Sequence, residues 1–111
     1  MAEASDGAAA LEAVRRARPS LVLLDVMMPS VDGWSVAEQL AADDETREIP
    51  IVFLSARAAY EDRLRARELG AVGYVVKPFD PLELAGIVWE ALERVARGER
   101  EQLNREVTEQ E

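Results

Sequence analysis

The chain has 111 residues, of which 49% are hydrophobic and 32% charged, and its formal net charge is −9. This length is enough for one domain with a single core, and the acidity argues against a surface for nucleic acid or an anionic membrane, since both need clustered lysine and arginine. The absence of cysteine and histidine excludes disulfides, zinc thiolate sites, thiol catalysis and any triad with a histidine base.

The location of the protein follows from two further features of the sequence. No apolar stretch approaches the roughly 20 residues that a membrane-spanning helix needs. The chain begins with polar and acidic residues, unlike a signal peptide. We therefore expect a cytoplasmic protein that binds neither membrane nor nucleic acid.

The first predicted elements are a helix and a strand. Residues 8–18 place alanine, leucine and valine among charges in the pattern of an amphipathic helix, which Pro19 ends. Residues 21–24 are all apolar and lead to Asp25, which is typical of a parallel strand buried on both faces. At the carboxyl edge of such a sheet, Asp25 would face the crevice where open α/β folds bind ligands. The alternative is that Asp25 only caps the next turn.

Helices and strands alternate along the rest of the chain. The predicted elements are a loop over 28–33, a helix over 34–42 capped by Asp32, strands over 50–55 and 73–77, and helices over 58–69 and 82–97. This alternation predicts an α/β fold with a parallel sheet and crossover helices. Residues 98–111 form a charged tail in which Leu103 and Val107 lie one turn apart, so the tail is expected either to extend the last helix or to fray.

Each predicted strand ends in a polar or ionisable residue, namely Asp25, Ser55 and Lys77. Because the ends of parallel strands lie on one edge of the sheet, the three side chains should converge. A carboxylate nucleophile, a hydroxyl donor and a compensating cation suit phosphoryl transfer, and Mg²⁺ could bridge Asp25 and a phosphoryl oxygen. Ser55 as a helix cap and Lys77 as a solvated strand end are the structural alternatives.

The order and spacing of three motif blocks identify a resemblance. The blocks are residues 21–29 with Asp32 and Gly33, residues 51–56, and Gly70 and Ala71 followed by residues 74–79. Together they resemble the receiver domains of two-component response regulators from about residue 3 to residue 97. The resemblance implies a flavodoxin-like, doubly wound parallel sheet over residues 1–97, followed by the tail, and a cis bond before Pro78.

The resemblance also implies a role for individual residues. Asp25 would be the phosphoacceptor for a histidine kinase or phosphotransfer protein, and Ser55 would hydrogen-bond the phosphoryl group and sense it. Lys77 would supply positive charge, and Met27 would offer its backbone carbonyl to Mg²⁺. Tyr74 would be the aromatic switch residue, with a half-buried strand aromatic as the plainer interpretation.

The match is incomplete at its amino-terminal side. The first strand, the first helix and most of the second strand of a receiver domain have no counterpart here. An acidic pair at the end of that first strand holds Mg²⁺ in the family. The strand over 21–24 would then be an open edge, so we expect a homodimer or higher oligomer that completes or covers the sheet, through strand exchange or the last helix. Mg²⁺ binding would be weak or lost, and phosphorylation of Asp25 slower or lost. An incomplete gene prediction would explain the same observation.

Three functions remain open at this stage. The first is a receiver module that is phosphorylated on Asp25 and signals to an unknown downstream protein through a surface change; its own chemistry would extend at most to self-phosphorylation from small donors and autodephosphorylation. The second is a degenerate receiver used for phosphorylation-independent dimerisation or docking. The third, a phosphatase with an aspartate nucleophile, is disfavoured because Met27 stands where a second carboxylate would be needed.

Overall fold

A three-stranded parallel sheet lies between two layers of helices. The computed structural model describes residues 7–28 and 31–109. In chain order the elements are α1 (Gly7–Ala17), β1 (Val22–Asp25), β2 (Met27–Met28), β3 (Val31–Asp32), α2 (Gly33–Ala42), β4 (Ile51–Ser55), α3 (Tyr60–Glu68), β5 (Gly73–Val76), α4 (Pro81–Ala96) and α5 (Arg100–Glu106). Within these ranges no helix has the length and apolarity required to cross a bilayer.

The sheet has the order β1-β4-β5, and both of its strand pairs are parallel. In this register Asp25 lies opposite Leu54, and Ser55 lies opposite Val76. The predicted parallel α/β fold is therefore confirmed, and the strand ends share one edge of the sheet. The predicted loop over 28–33 is wrong in part, because β2 and β3 pair there as a short antiparallel hairpin.

Alternate side chains of the strands enter two separate cores, as expected for a sheet covered on both faces. One core contains Val22, Leu24, Phe53 and Tyr74 and packs against α1, α2 and α3. The other contains Val52 and Val75, with Leu23 and Leu54 beside them, and packs against α4. Helices on both faces make the sheet doubly wound.

Local sequence signals explain where the helices begin and end. The carboxylate of Asp32 accepts a hydrogen bond from the Trp34 N–H at 3.0 Å and so caps α2 as predicted. Asp80 caps α4 in the same way through the Leu82 N–H at 2.8 Å, with proline at the first helical position. Gly70, with φ of 86°, follows α3 in the left-handed conformation that glycine favours. The Lys77–Pro78 bond is cis, as the resemblance implied.

The charged tail forms a separate helix, which corrects the expectation that it would extend α4 or fray. Gly98 takes a φ of 81° directly after α4 and turns the chain away from the helix axis. In the following helix, α5, the Asn104 amide donates to the Ala71 carbonyl at 2.7 Å, immediately before β5. The α5 segment therefore covers the end of the sheet at which the strands begin. Leu103 joins the α4-side core, and Val107 joins the opposite one.

An ion cluster centred on Arg94 ties α5 to α4. Its guanidinium donates to both carboxylate oxygens of Glu106, at 2.9 and 2.6 Å, and to Glu99 at 2.9 Å. Bidentate pairing of this kind has a fixed geometry as well as charge attraction. The hydrogen bonds from Arg94 hold the pKa of Glu106 and of Glu99 below the ordinary value of 4.5.

The attachment of α5 should weaken in acid. Because the two glutamate pKa values are lower in the folded chain than in the unfolded one, their contribution to stability is present above pH 4.5 and is lost as the pH falls toward the folded values. Hydrogen exchange of the α5 amides should show protection that falls over this range, while the β4 amides stay protected. Arg94→Gln should lower the α5 protection already at neutral pH, and Arg97→Gln, which removes a contact to Glu99 alone, should change it less. Equal protection in the two variants would contradict this account.

A strained residue at the end of α1 offers a second test. Arg18 has a φ of 45° while its N–H donates to the Val14 carbonyl at 2.8 Å. A side chain in the left-handed region costs about 1 kcal/mol, which glycine avoids. Arg18→Gly should therefore raise the free energy of unfolding by up to about 1 kcal/mol in urea denaturation. The matched control Arg16→Gly, inside α1, should lower it by about 1 kcal/mol; a loss of stability in both variants would refute the assignment of strain to Arg18.

Candidate functional site

The carboxyl edge of the sheet brings together the side chains that the sequence placed there. The Lys77 ammonium forms a salt bridge with the Asp25 carboxylate, and both side chains remain partly open to solvent, at 36% and 26% exposure. The Lys77 N–H donates to the Ser55 carbonyl at 2.8 Å, which fixes the segment after β5 against the end of β4. The predicted convergence is therefore present for the side chains of Asp25 and Lys77, whereas the contact with Ser55 is made through its backbone carbonyl.

The backbone around Asp25 is held by close packing against the start of α2. The N–H of Val26 donates to the Leu54 carbonyl at 3.0 Å and continues the pairing of β1 with β4. A Cβ placed on Gly33 would lie 2.6 Å from the Asp25 carbonyl oxygen and 2.8 Å from Val26 Cα. No larger residue fits this gap without a backbone shift. Gly33 thus allows α2 to begin directly against the residue that carries the carboxylate.

Ser55 and Tyr74 both hydrogen-bond to the backbone of Arg57. Ser55 is fully buried at the end of β4, and its hydroxyl oxygen accepts the Arg57 N–H at 3.0 Å. The Tyr74 hydroxyl donates to the Arg57 carbonyl at 2.6 Å, and the tyrosine is 4% exposed. Tyr74 is therefore more deeply buried than the half-buried strand aromatic that was the plainer interpretation. Arg57 joins the two residues through its two backbone polar groups.

Arg63 covers the ring of Tyr74. Its guanidinium carbon lies 5.1 Å from the ring centroid, and the arginine is only 6% exposed. Burial raises the pKa of the Tyr74 phenol above its ordinary value of 10.0, so the hydroxyl stays protonated and can donate at neutral pH. The guanidinium over the ring face adds a cation–π attraction that favours this inward position.

Reasoning from the sequence missed Arg57 and Arg63. The contribution of Arg57 comes from its backbone, so no side-chain pattern could have indicated it. Arg63 lies three residues before the fully buried Ala66 on α3, so its spacing placed it on the inward face. An arginine at a position that faces the core was the available signal.

A comparison with known protein families identifies the family of this chain. The family model of the response regulator receiver domain matches residues 1–88. The chain belongs to this family. Curated proteins with similar sequences include the probable transcriptional regulator ycf27 of Porphyridium aerugineum, 42% identical over 83% of this chain and 37% of that protein. The phosphate regulon transcriptional regulatory protein PhoB of Escherichia coli strain K12 is 38% identical over 85% of this chain and 41% of its own length.

Solved receiver structures agree with the fold. The receiver domain of NtrX from Brucella abortus superposes with a TM-score of 0.71 at 29% identity, over 81% of this chain and 75% of that one. The chemotaxis protein CheY4 of Vibrio cholerae superposes with a TM-score of 0.72 at 28% identity, over 79% and 73%. The chain thus spans about three quarters of these receivers, and about two fifths of the curated regulators.

The receiver site offers few protein ligands for Mg²⁺. In residues 7–28 and 31–109 no three acidic side chains lie close enough together to hold a metal ion. Asp25 offers one carboxylate, and Met27, at the start of β2, has a backbone carbonyl two residues further along. Mg²⁺ in proteins commonly keeps several waters and takes one or two carboxylates together with phosphate oxygens. An ion at this site would take most of its ligands from water and a phosphoryl group.

Enlarging Gly33 should disturb the receiver site through its backbone. Gly33→Ala places a methyl group against the Asp25 carbonyl and should lower the free energy of unfolding by about 1–3 kcal/mol in urea denaturation. Gly86→Ala is the matched control, because a Cβ there meets nothing within 4 Å inside α4, and it should raise stability by about 0.5–1 kcal/mol. An unchanged unfolding midpoint for Gly33→Ala would show that the close approach is not required.

Proposed function

We propose that this receiver domain accepts a phosphoryl group on Asp25 from a histidine kinase or phosphotransfer protein. The observation that carries the proposal is the partly exposed Asp25–Lys77 pair at the carboxyl edge of the sheet. A buried structural ion pair would be inaccessible to a partner's phosphoryl group, whereas both side chains of this pair are partly exposed to solvent. The fully buried Ser55 hydroxyl ends the adjacent strand.

The chemistry assigned to each residue follows from its charge and position. A carboxylate oxygen of Asp25 attacks the phosphorus of the phosphohistidine, the N–P bond breaks, and an acyl phosphate forms on Asp25. Lys77 then exchanges its carboxylate partner for a phosphoryl oxygen and compensates the added negative charge. Mg²⁺, when bound, would be held by Asp25 and the backbone carbonyl of Met27 and would supply further positive charge next to the phosphoryl group.

Phosphorylation would reach the surface through Arg57. A phosphoryl group that draws the Ser55 hydroxyl toward it removes the acceptor of the Arg57 N–H, and the Arg57 carbonyl is what holds the Tyr74 hydroxyl. Tyr74 borders a surface groove of about 430 Å³ between α3, β5 and α4, which also includes Arg63, Phe79 and Ile87. A change of this groove is the signal that a downstream protein would detect.

The output of the signal is inferred from the relatives. Two of them are named as transcriptional regulators, and this chain spans about two fifths of their length. We infer that the response controlled by this receiver is transcription. The cytoplasm is the compartment where such a kinase and target would meet the domain.

A phosphorylation-independent docking module is the second candidate. The partly exposed Lys77–Asp25 pair favours phosphoryl transfer instead.

The acceptor role is tested by intact mass after incubation with acetyl phosphate, with and without Mg²⁺. The chain should gain the mass of one phosphoryl group in a Mg²⁺-dependent manner, and Asp25→Asn should gain none. Lys77→Gln should slow the gain at least about tenfold, because it removes the compensating charge. The control Asp80→Asn should behave like the unaltered chain, because asparagine also caps helices well and Asp80 caps α4 outside the site.

Two outcomes would count against the proposal. A phosphoryl group that still attaches to Asp25→Asn would place the acceptor elsewhere. No gain in the unaltered chain, even at high Mg²⁺, would favour the docking module.

A further inference from the structure

Helix α3 has little apolar surface with which to attach to the sheet. Of its nine residues only Arg63 and Ala66 are buried, and one of these is charged. Helices usually hold their position through a continuous apolar stripe. Polar contacts at the two ends of α3 therefore contribute much of its attachment, and they decide where Arg63 lies over the Tyr74 ring.

The amino end of α3 is connected to the receiver site. The carbonyl of Ala59, the residue before α3, accepts the N–H of Arg63 at 3.3 Å. Two residues earlier in the chain lies Arg57, whose backbone groups contact Ser55 and Tyr74. A displacement of Arg57 would therefore move the start of α3.

The carboxyl end of α3 is held by a side chain of α5. The amide nitrogen of Asn104 donates to the Arg67 carbonyl at 3.0 Å, in the last turn of α3, and to the Ala71 carbonyl at 2.7 Å, just before β5. Carbonyls at the end of a helix lack part of their intrahelical partners and so accept such donors. One amide thus joins α3, which carries Arg63, to β5, which carries Tyr74.

The helix that carries Asn104 is itself firmly attached. Leu103 and Val107 of this segment are 7% and 0% exposed and belong to the two cores. The two hydrogen bonds from Arg94 to Glu106 join the segment to α4. The match to the receiver family ends at residue 88, so α5 lies outside the residues that define the family.

We propose that Asn104 is a positioning residue for Tyr74. Its amide fixes α3 relative to β5 and so keeps Arg63 over the tyrosine ring. It acts through the placement of these two elements, from the end of the sheet opposite to Asp25.

The same contact determines how α3 would respond to phosphorylation, and this part rests on the proposed function. A phosphoryl group on Asp25 that draws the Ser55 hydroxyl away from Arg57 frees the start of α3. The end held by Asn104 stays in place, so α3 pivots about that end. The groove beside Tyr74 then changes while α5 does not.

The positioning role is tested on the unphosphorylated chain by NMR of the tyrosine rings. The chain has two tyrosines, of which Tyr60 is 58% exposed and Tyr74 only 4%. Asn104→Ala should move the Tyr74 ring signals toward those of Tyr60. It should also speed hydrogen exchange in residues 65–69 at least about fivefold, the factor that one lost hydrogen bond typically carries. Alanine favours helices more than asparagine does, so a weaker α5 helix cannot be the cause.

Thr108→Val is the matched control for this experiment. It removes the hydrogen bond that the Arg67 guanidinium donates to the Thr108 hydroxyl at 2.8 Å, but it leaves the backbone contacts of Asn104. The Tyr74 ring signals should therefore stay in place. Unchanged ring signals in Asn104→Ala would overturn the proposal, and so would an equal shift in Thr108→Val.

Hydrogen exchange in the presence of acetyl phosphate and Mg²⁺ tests the pivot, with intact mass recorded on the same samples. Once a phosphoryl group is attached, exchange of the Arg57 amide should speed up at least about fivefold, because it loses its hydrogen bond. Protection of residues 100–106 should not change, and a loss there equal to the change at Arg57 overturns the pivot. If the mass shows no phosphoryl group, the proposed function fails, and the ring signals of Asn104→Ala still decide the positioning role.

Discussion

The parallel pairing of β1, β4 and β5 is the constraint on which the rest of the molecule depends. It places Asp25, Ser55 and Lys77 at one edge although they are far apart in sequence, and it sends alternate side chains of every strand into opposite cores. Asp25 and Lys77 are 52 residues apart in sequence, so their salt bridge depends on the pairing of the strands. On this sheet edge it joins two side chains that remain partly accessible to water.

Most of the fold was predictable because it depends on local patterns. Apolar runs that end in a polar residue indicated the strands, and Asp32 and Gly70 indicated helix boundaries that the structure confirms. The fate of the charged tail was not predictable in this way. Its position depends on contacts with distant carbonyl groups, such as that of Ala71, and with the core, none of which appears in the periodicity of the tail itself.

The candidate site shows the same division. Side chains at strand ends could be assigned from the order of residues alone, but the hydrogen bonds that Ser55 and Tyr74 make to the backbone of Arg57 could not. Any residue type at position 57 other than proline could supply both groups, so the sequence carries no mark of them. The need for glycine at position 33 is likewise a matter of distance, since it arises from the approach of α2 to β1.

The placement of α5 separates the packing of the two cores from the site at Asp25. Leu103 and Val107 join the two cores at the end where the strands begin, while the Asp25–Lys77 pair lies at the end where the strands finish. Rearrangement at the carboxyl edge of the sheet can therefore proceed while α5 stays in place at the opposite end, because Arg94 and Asn104 hold α5 through a separate set of hydrogen bonds.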